Sequence, residues 1–116
     1  KQSGIKCEYN WLIEEDYKFS KIQQINIFRI IQEALHNVSK HAKANNALVE
    51  IKHDKKKIVI SIIDDGIGFN SKVSKKGLGL NSMQYRANQI GAKFQMKKNK
   101  PKGTVVLLHL SKENIE

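Results

Sequence analysis

The stretch "IKCEYNWL" sets Ile5, Cys7, Tyr9 and Trp11 against Lys6, Glu8 and Asn10. That period of two predicts a strand over 5–12 near a sheet edge, with Cys7, Tyr9 and Trp11 turned toward the core. From Ser20, a natural N-cap, to His41 the period becomes helical, and Ile27, Ile31, Ala34, Leu35 and Val38 fall on one stripe. "ALVEIKHD" (47–54) and "KIVISIID" (57–64) predict a hairpin joined by the lysine-rich "DKKK". The second of these strands is nearly all apolar, which places it centrally. After "DDGIGF" (64–69) the polar, aperiodic "NSKVSKK" (70–76) predicts a loop between glycines. Helical spacing returns in "GLNSMQYRANQIGA" (79–92) through Leu80, Met83, Ala87 and Ile90, with Gly91 as the C-terminal cap. Two last strands, "KFQMKK" and "GTVVLLHL", are joined by a turn around Pro101 and Gly103, and the tail after Leu110 is expected to fray. This order predicts an α/β (α+β) two-layer sandwich, with a mixed, mainly antiparallel sheet covered on one face by helices.

Composition narrows the class. With 116 residues, 40% hydrophobic and 28% charged, the chain reads as a single globular domain over 1–116. No apolar run approaches the roughly 20 residues of a membrane helix. The start at Lys1 without a methionine leads us to expect a fragment of a longer parent, in which a membrane span can lie upstream. The single cysteine, Cys7, excludes an internal disulfide and a thiolate metal site, and reads as a small hydrophobe in a reducing compartment. The net charge of +10 comes almost wholly from lysine, Arg29 and Arg86 being the only arginines. It favours polyanionic partners: nucleic acid, nucleotide phosphates or an acidic protein.

Chemistry concentrates at three places. Glu33 and Asn37 lie one turn apart on the first helix, at the border of its apolar stripe, and at 100° per residue Lys40 and His41 continue that border. A carboxylate and an amide there can hold a magnesium ion that keeps waters and shares phosphates, while Lys40 and His41 reach the phosphates. Read alone, the same residues make a solvated helix edge. In "DDGIGF" the glycines at 66 and 68 permit a close backbone approach, and Asp65, at the strand end, can accept a hydrogen bond from an exocyclic amine such as that of adenine. An ordinary Asp-Gly turn explains the run equally well. "KKGLGL" puts Gly77 and Gly79 just before a helix, where free N–H groups favour an anion, although the third glycine of the dinucleotide fingerprint is absent. His53 and His109 sit on predicted strands without partners at metal spacing and read as surface or satisfied histidines. No nucleophile and base arrangement stands out.

The order of the pieces is more specific than any one of them. "QEALHNVSKHA", then "DDGIGF", then "GLGLNSM", then "GTVVLLHL" resembles the ATP-binding domain of two-component sensor histidine kinases, within the family shared with gyrase, the Hsp90 chaperones and mismatch-repair ATPases. The resemblance runs from about Ile5 to Leu110 and implies the Bergerat ATP-binding fold. It is strongest to the subclass with a Glu-x-x-x-Asn box ending in Lys/Arg-His-Ala. It implies ATP and Mg2+ as cofactors, with Asn37 coordinating the magnesium and Glu33 polarising a water or assisting phosphoryl transfer. Lys40 and His41 would lie near the phosphates. It further implies Asp65 on the adenine amine, Gly66, Gly68 and Phe69 lining the base pocket, and Thr104 completing the adenine contacts through its hydroxyl and a water. Gly77, Leu78, Gly79 and Leu80 would close over the phosphates, "NSKVSKK" would be a short ATP lid, and Arg86 would make a structural salt bridge. The family phosphorylates a histidine on a separate dimerisation helix, usually followed by an acidic residue, and His36, His41, His53 and His109 do not fit that setting. The expected partners are therefore the parent's dimerisation and phosphoacceptor domain and, through it, a response regulator, with no direct nucleic-acid contact and a monomeric isolated domain. The expected location is the cytoplasm, with the parent anchored in the inner membrane or free. A regulatory nucleotide-binding module without kinase activity and a basic nucleic-acid-binding domain are the alternative readings.

Overall fold

The computed structural model describes residues 4–13, 17–67 and 79–112, excluding the side chains of His41 and Ala42. The elements follow the order β1 (Lys6–Leu12), α1 (Lys21–Asn37), a π-helical turn (Val38–Ala42), β2 (Asn46–His53), β3 (Lys57–Asp64), α2 (Leu80–Gln89), β4 (Lys93–Lys98) and β5 (Thr104–Ser111). The five strands form one sheet in the order β1-β2-β3-β5-β4. β1 runs parallel to β2, and the β2–β3, β3–β5 and β4–β5 pairs are antiparallel. The mixed, mainly antiparallel sheet, its central β3 and its edge β1 are those expected from the sequence.

Local chemistry explains the elements. Ser20 accepts the Gln23 N–H at 3.1 Å, and the Gln23 side chain in turn accepts the Ser20 N–H at 2.8 Å, a capping box that starts α1. One face of α1, carrying Ile27, Ile30 and Ala34, packs on the sheet with Met83, Ala87 and Ile90 from the second helical segment. Beneath them lie Val49 and Ile51 of β2, Ile58, Ile60 and Ile62 of β3, and Val106, Leu108 and Leu110 of β5. Each such side chain, fully buried, contributes about 1.5–3 kcal/mol. In β3 and β5 the even-numbered positions face the helices and the odd-numbered positions face away, the alternation a pleated strand imposes. A smaller cluster of Val38, Ala44 and Ala47, with Ile5, Cys7 and Leu35 against it, seats the π-helical turn on the start of β2.

Two expectations change here. Tyr9 and Trp11 are 61% and 65% exposed, not core, because β1 is an edge strand and extends beyond the helical cover. Of that alternating set Ile5 and Cys7 are partly buried, packed against the Val38, Ala44 and Ala47 cluster with Leu35. The first helix also does not continue at 100° per residue to His41: it widens into a π-helical turn after Asn37, and Lys43 follows in the left-handed region at φ 51°. No helix among the described residues is long and apolar enough to cross a membrane.

Candidate functional site

Asp64 is the last residue of β3 and shares the parity of Ile58, Ile60 and Ile62, so its side chain turns to the helix side and is 4% exposed. Its Oδ1 accepts the Gly66 N–H at 2.9 Å, and its carboxylate also receives the Thr104 backbone N–H. Burial pushes the Asp64 carboxyl above its ordinary range despite these two bonds, with the neighbouring charge of Asp65 adding to the rise. A buried carboxylate held by only two backbone donors keeps acceptor capacity for a further donor.

The backbone around Asp64 is fixed from the β4–β5 turn. Asn99 Nδ2 donates to the Asp64 carbonyl oxygen at 3.2 Å. Gly103 has φ +106° and lies so close that a Cβ there would collide with the Asp64 carbonyl. Glycine is required at 103 on both counts. The turn thereby brings Thr104, itself buried, beside Asp64.

Asp65 points the other way. Its Oδ1 accepts the N–H groups of Asn45 and Asn46, each at 2.9 Å, and its Oδ2 accepts Asn46 Nδ2 at 2.8 Å. These bonds hold its carboxyl below the ordinary range and tie the end of β3 to the start of β2. The assignment of Asp65 as the adenine anchor is corrected on this geometry: its oxygens are used in a surface turn, whereas Asp64 faces inward. In the pattern D-x-G-x-G, with glycines at 66 and 68, the leading aspartate is in fact Asp64. Strand parity held that signal in the sequence.

α1 delivers the second part of the site. Val38 packs on Ala47, and Ala47 is the register partner of Asp64, so the Glu33 and Asn37 end of α1 stands over the Asp64 end of β3. Asn37 is buried and Glu33 half-buried, one turn apart as the spacing predicts. The Glu33 carboxylate reaches Gly79, the left-handed N-cap of α2 (φ 68°), where an added Cβ would lie 2.5 Å from Glu33 Oε2. Gly79 and half-buried Leu80 thus bring the start of α2 to the same end of the sandwich, Leu80 packing against the core. Lys40 is exposed on the π-helical turn, off the line that regular helical spacing drew from Glu33 and Asn37. The side chain of His41, and Gly68, Phe69, Gly77, Leu78 and the "NSKVSKK" loop, lie outside the described residues. Arg86, expected to make a salt bridge, has no ion-pair partner among the described residues; it stands in the last turn of α2, where a cation complements the helix dipole.

The donor set has a definite character. No group of three His, Cys, Asp or Glu comes together among the described residues, so those residues form no closed cage of the zinc kind. An amide oxygen and a carboxylate one turn apart suit magnesium, which needs few protein ligands when phosphates and waters supply the rest.

Residues 22–114 match the family model described as "Histidine kinase-, DNA gyrase B-, and HSP90-like ATPase". The chain is 34% identical over 94 residues to the signal transduction histidine-protein kinase/phosphatase DegS of Brevibacillus brevis, covering 80% of this chain and 24% of that protein. It is 36% identical over 100 residues to the sensor histidine kinase LiaS of Bacillus subtilis, covering 85% and 28% respectively. The chain therefore spans about a quarter of the length of these curated relatives. Among solved structures, the catalytic domain of histidine kinase ThkA superposes with a TM-score of 0.77 at 17% identity, over 97% of this chain and 83% of that one. The blue-light activated histidine kinase of Erythrobacter litoralis gives 0.77 at 17% identity, over 92% and 37%. At these identities the structural likeness shows the fold alone.

Proposed function

The chain belongs to the histidine kinase-, DNA gyrase B- and HSP90-like ATPase family, as the ATP-binding domain found in sensor histidine kinases, and on that premise we propose how its residues work. The observation that carries the reading is the buried Asp64 carboxylate, held by the Gly66 and Thr104 N–H groups beside the oxygen donors of α1. Asp64 accepts the exocyclic amine of adenine. Thr104 completes that contact through its hydroxyl and a water, and Gly66, with Gly68 and Phe69, lines the base pocket. Asn37 holds the magnesium ion and Glu33 orients a water or the incoming acceptor. Lys40 and His41 serve the phosphates, and the segment Gly77, Leu78, Gly79 and Leu80 closes over them. A magnesium ion held by Asn37 would supply neutralisation of the phosphate charge during γ-phosphoryl transfer.

The phosphoryl acceptor is a histidine on the parent's dimerisation domain, from which a response regulator takes the group. The histidines described here support that division of labour. His36 is exposed on α1, His53 packs against Tyr17 and Lys112, and His109 lies on the far face of the sheet. Phosphoryl transfer depends on positioning and charge neutralisation, so the domain without its acceptor turns over slowly. It works in the cytoplasm, where ATP is, and any membrane anchor belongs to the parent.

Calorimetric titration with ADP tests the pocket: measurable affinity is expected, strengthened by Mg2+, and binding that ignores both Mg2+ and Asp64→Asn overturns the assignment. Incubating the parent kinase with γ-labelled ATP tests the reaction. Label stable to base and lost in acid indicates phosphohistidine; its absence in an ADP-binding parent leaves a nucleotide-gated module instead.

A further inference from the structure

The face of the sheet opposite the helices is uneven in charge. On its β1–β2 side, Lys6 pairs with Glu8 at 3.9 Å and Lys52 with Glu50 at 3.5 Å, while Asn10 Nδ2 donates to Glu50 at 3.2 Å. On its β3–β5–β4 side the register collects cations. Lys93 of β4 lies directly across from His109 of β5, and Lys57 of β3 lies across from Ser111. Lys97 adds its charge from the same strand as Lys93. Among the described residues the two ion pairs just named are the only ones within 4 Å, so Lys57, Lys93 and Lys97 form none there, although the Asp54 carboxylate attracts Lys57 from the adjoining turn. Asp54, in the β2–β3 turn, already accepts the backbone N–H groups of Lys56 and Lys57 at 2.8 and 2.9 Å.

A groove of about 410 Å3 is lined here by Lys56, Lys57, Lys93, Gln95, His109 and Ser111, with Gly91 and Leu110. The imidazole sits among like charges: burial and then Lys57, Lys93 and Lys97 hold His109 below the ordinary histidine range. Lysine ammonium groups gathered in a concave surface, with a hydroxyl and an amide between them, suit a compact anion of high charge density. The volume is within the range of small-ligand sites and admits a diphosphate with an attached organic group.

We propose that this groove is a second anion site, taking a phosphoryl-bearing ligand of diphosphate size or larger. It lies on the opposite face of the sheet from Asp64 and at the other end of β3, roughly 23 Å away along the strand. It does not rest on the nucleotide reading above. An anion bound there relieves the repulsion among Lys57, Lys93, Lys97 and His109, so binding and protonation of His109 favour each other. The same phosphoryl chemistry is offered by a soluble phosphorylated compound and by the headgroup of an anionic phospholipid.

The test is a pyrophosphate titration of the full chain at constant ionic strength, followed by the His109 ring resonances. A saturable shift is expected, together with a rise in the His109 pKa and tighter binding at pH 6 than at pH 8. Lys57→Ala/Lys93→Ala, checked for folding by circular dichroism, should weaken binding about tenfold or more, and the milder Lys93→Gln a few-fold. A parallel arm uses vesicles of phosphatidylcholine with and without phosphatidylglycerol. Vesicle binding that needs phosphatidylglycerol and is competed by pyrophosphate assigns the site to a headgroup, and pyrophosphate binding alone assigns it to a soluble ligand. No saturable response in either arm, or one unchanged in the double variant, overturns the proposal. The Gly66 amide resonance, beside Asp64, separates this response from binding at the other pocket.

Discussion

The two ends of β3 use the same device to different effect. At its start, Asp54 accepts the backbone N–H groups of Lys56 and Lys57; at its finish, Asp64 accepts those of Gly66 and Thr104. Asp54 stands in water, and the bonds hold its carboxyl below the ordinary range. Asp64 stands on the helix-covered face, and burial pushes its carboxyl up in spite of the bonds. Asp65, one residue on, repeats the Asp54 arrangement with Asn45 and Asn46. Burial, not the number of hydrogen bonds, separates the inward carboxylate from the carboxylates that staple turns. The desolvated one keeps an acceptor that bulk water has not already satisfied.

The comparison breaks most sharply if the aspartates are exchanged in role. Asp64→Asn is expected to weaken ADP binding about 30- to 100-fold, since the charge-assisted bond to the base proposed for the inward carboxylate is lost. Asp65→Asn should change the same affinity by no more than about threefold. Calorimetry on both variants decides, and the reverse ranking restores Asp65 as the anchor.

Gly103→Ala sharpens the account of how Asp64 is held. A side chain at φ +106°, directed at the Asp64 carbonyl, should cost about 1–3 kcal/mol and lower the melting temperature by roughly 5–15 °C. It should weaken ADP binding as well, because the Asp64 and Thr104 backbones separate. A calorimetric scan and a titration measure the two effects.

The pH dependence of stability separates the carboxylates by sign. The folded Asp64 carboxyl titrates above its reference value of 3.8, so its ionisation opposes folding, and that penalty is relieved as pH falls through the folded value toward 3.8. Asp65 titrates below 3.8 when folded, so it stabilises above 3.8 and the contribution is lost as pH falls through its folded value. Urea midpoints at pH 7 should therefore be unchanged or higher in Asp64→Asn and lower in Asp65→Asn. Both differences should fade in acid below the respective titrations. The smallest expected effect is that of Asp54→Asn, which loosens the β2–β3 turn and leaves ADP affinity within about twofold of the parent chain. A larger change in its ADP titration links the two ends of β3.

Much of this molecule was legible before folding was considered. Periods of two and of 3.6 gave the strands, both helices, the edge place of β1 and the central place of β3, because each pattern reports which backbone geometry can bury its apolar side chains. The spacing of Glu33 and Asn37 also held, since one turn of α1 makes them neighbours wherever the helix sits. Three matters needed the assembled chain. Tyr9 and Trp11 alternate like core residues yet remain exposed, because alternation cannot say whether a helix lies above that part of an edge strand. Lys40 left the predicted line because the helix relaxes into a π-helical turn where Val38 seats on Ala47 at the start of β2, a contact that periodicity does not report. Asp64 and Asp65 are alike as residues. Parity turns them apart, and they differ in burial because the helices cover the face Asp64 enters, while Asp65 is taken up by Asn45 and Asn46 at the start of β2. Periodicity and residue order set the elements and the polar groups offered. Which of two adjacent carboxylates lost its water was decided by elements that meet only in the folded chain, because desolvation belongs to the surroundings of a group and not to the group.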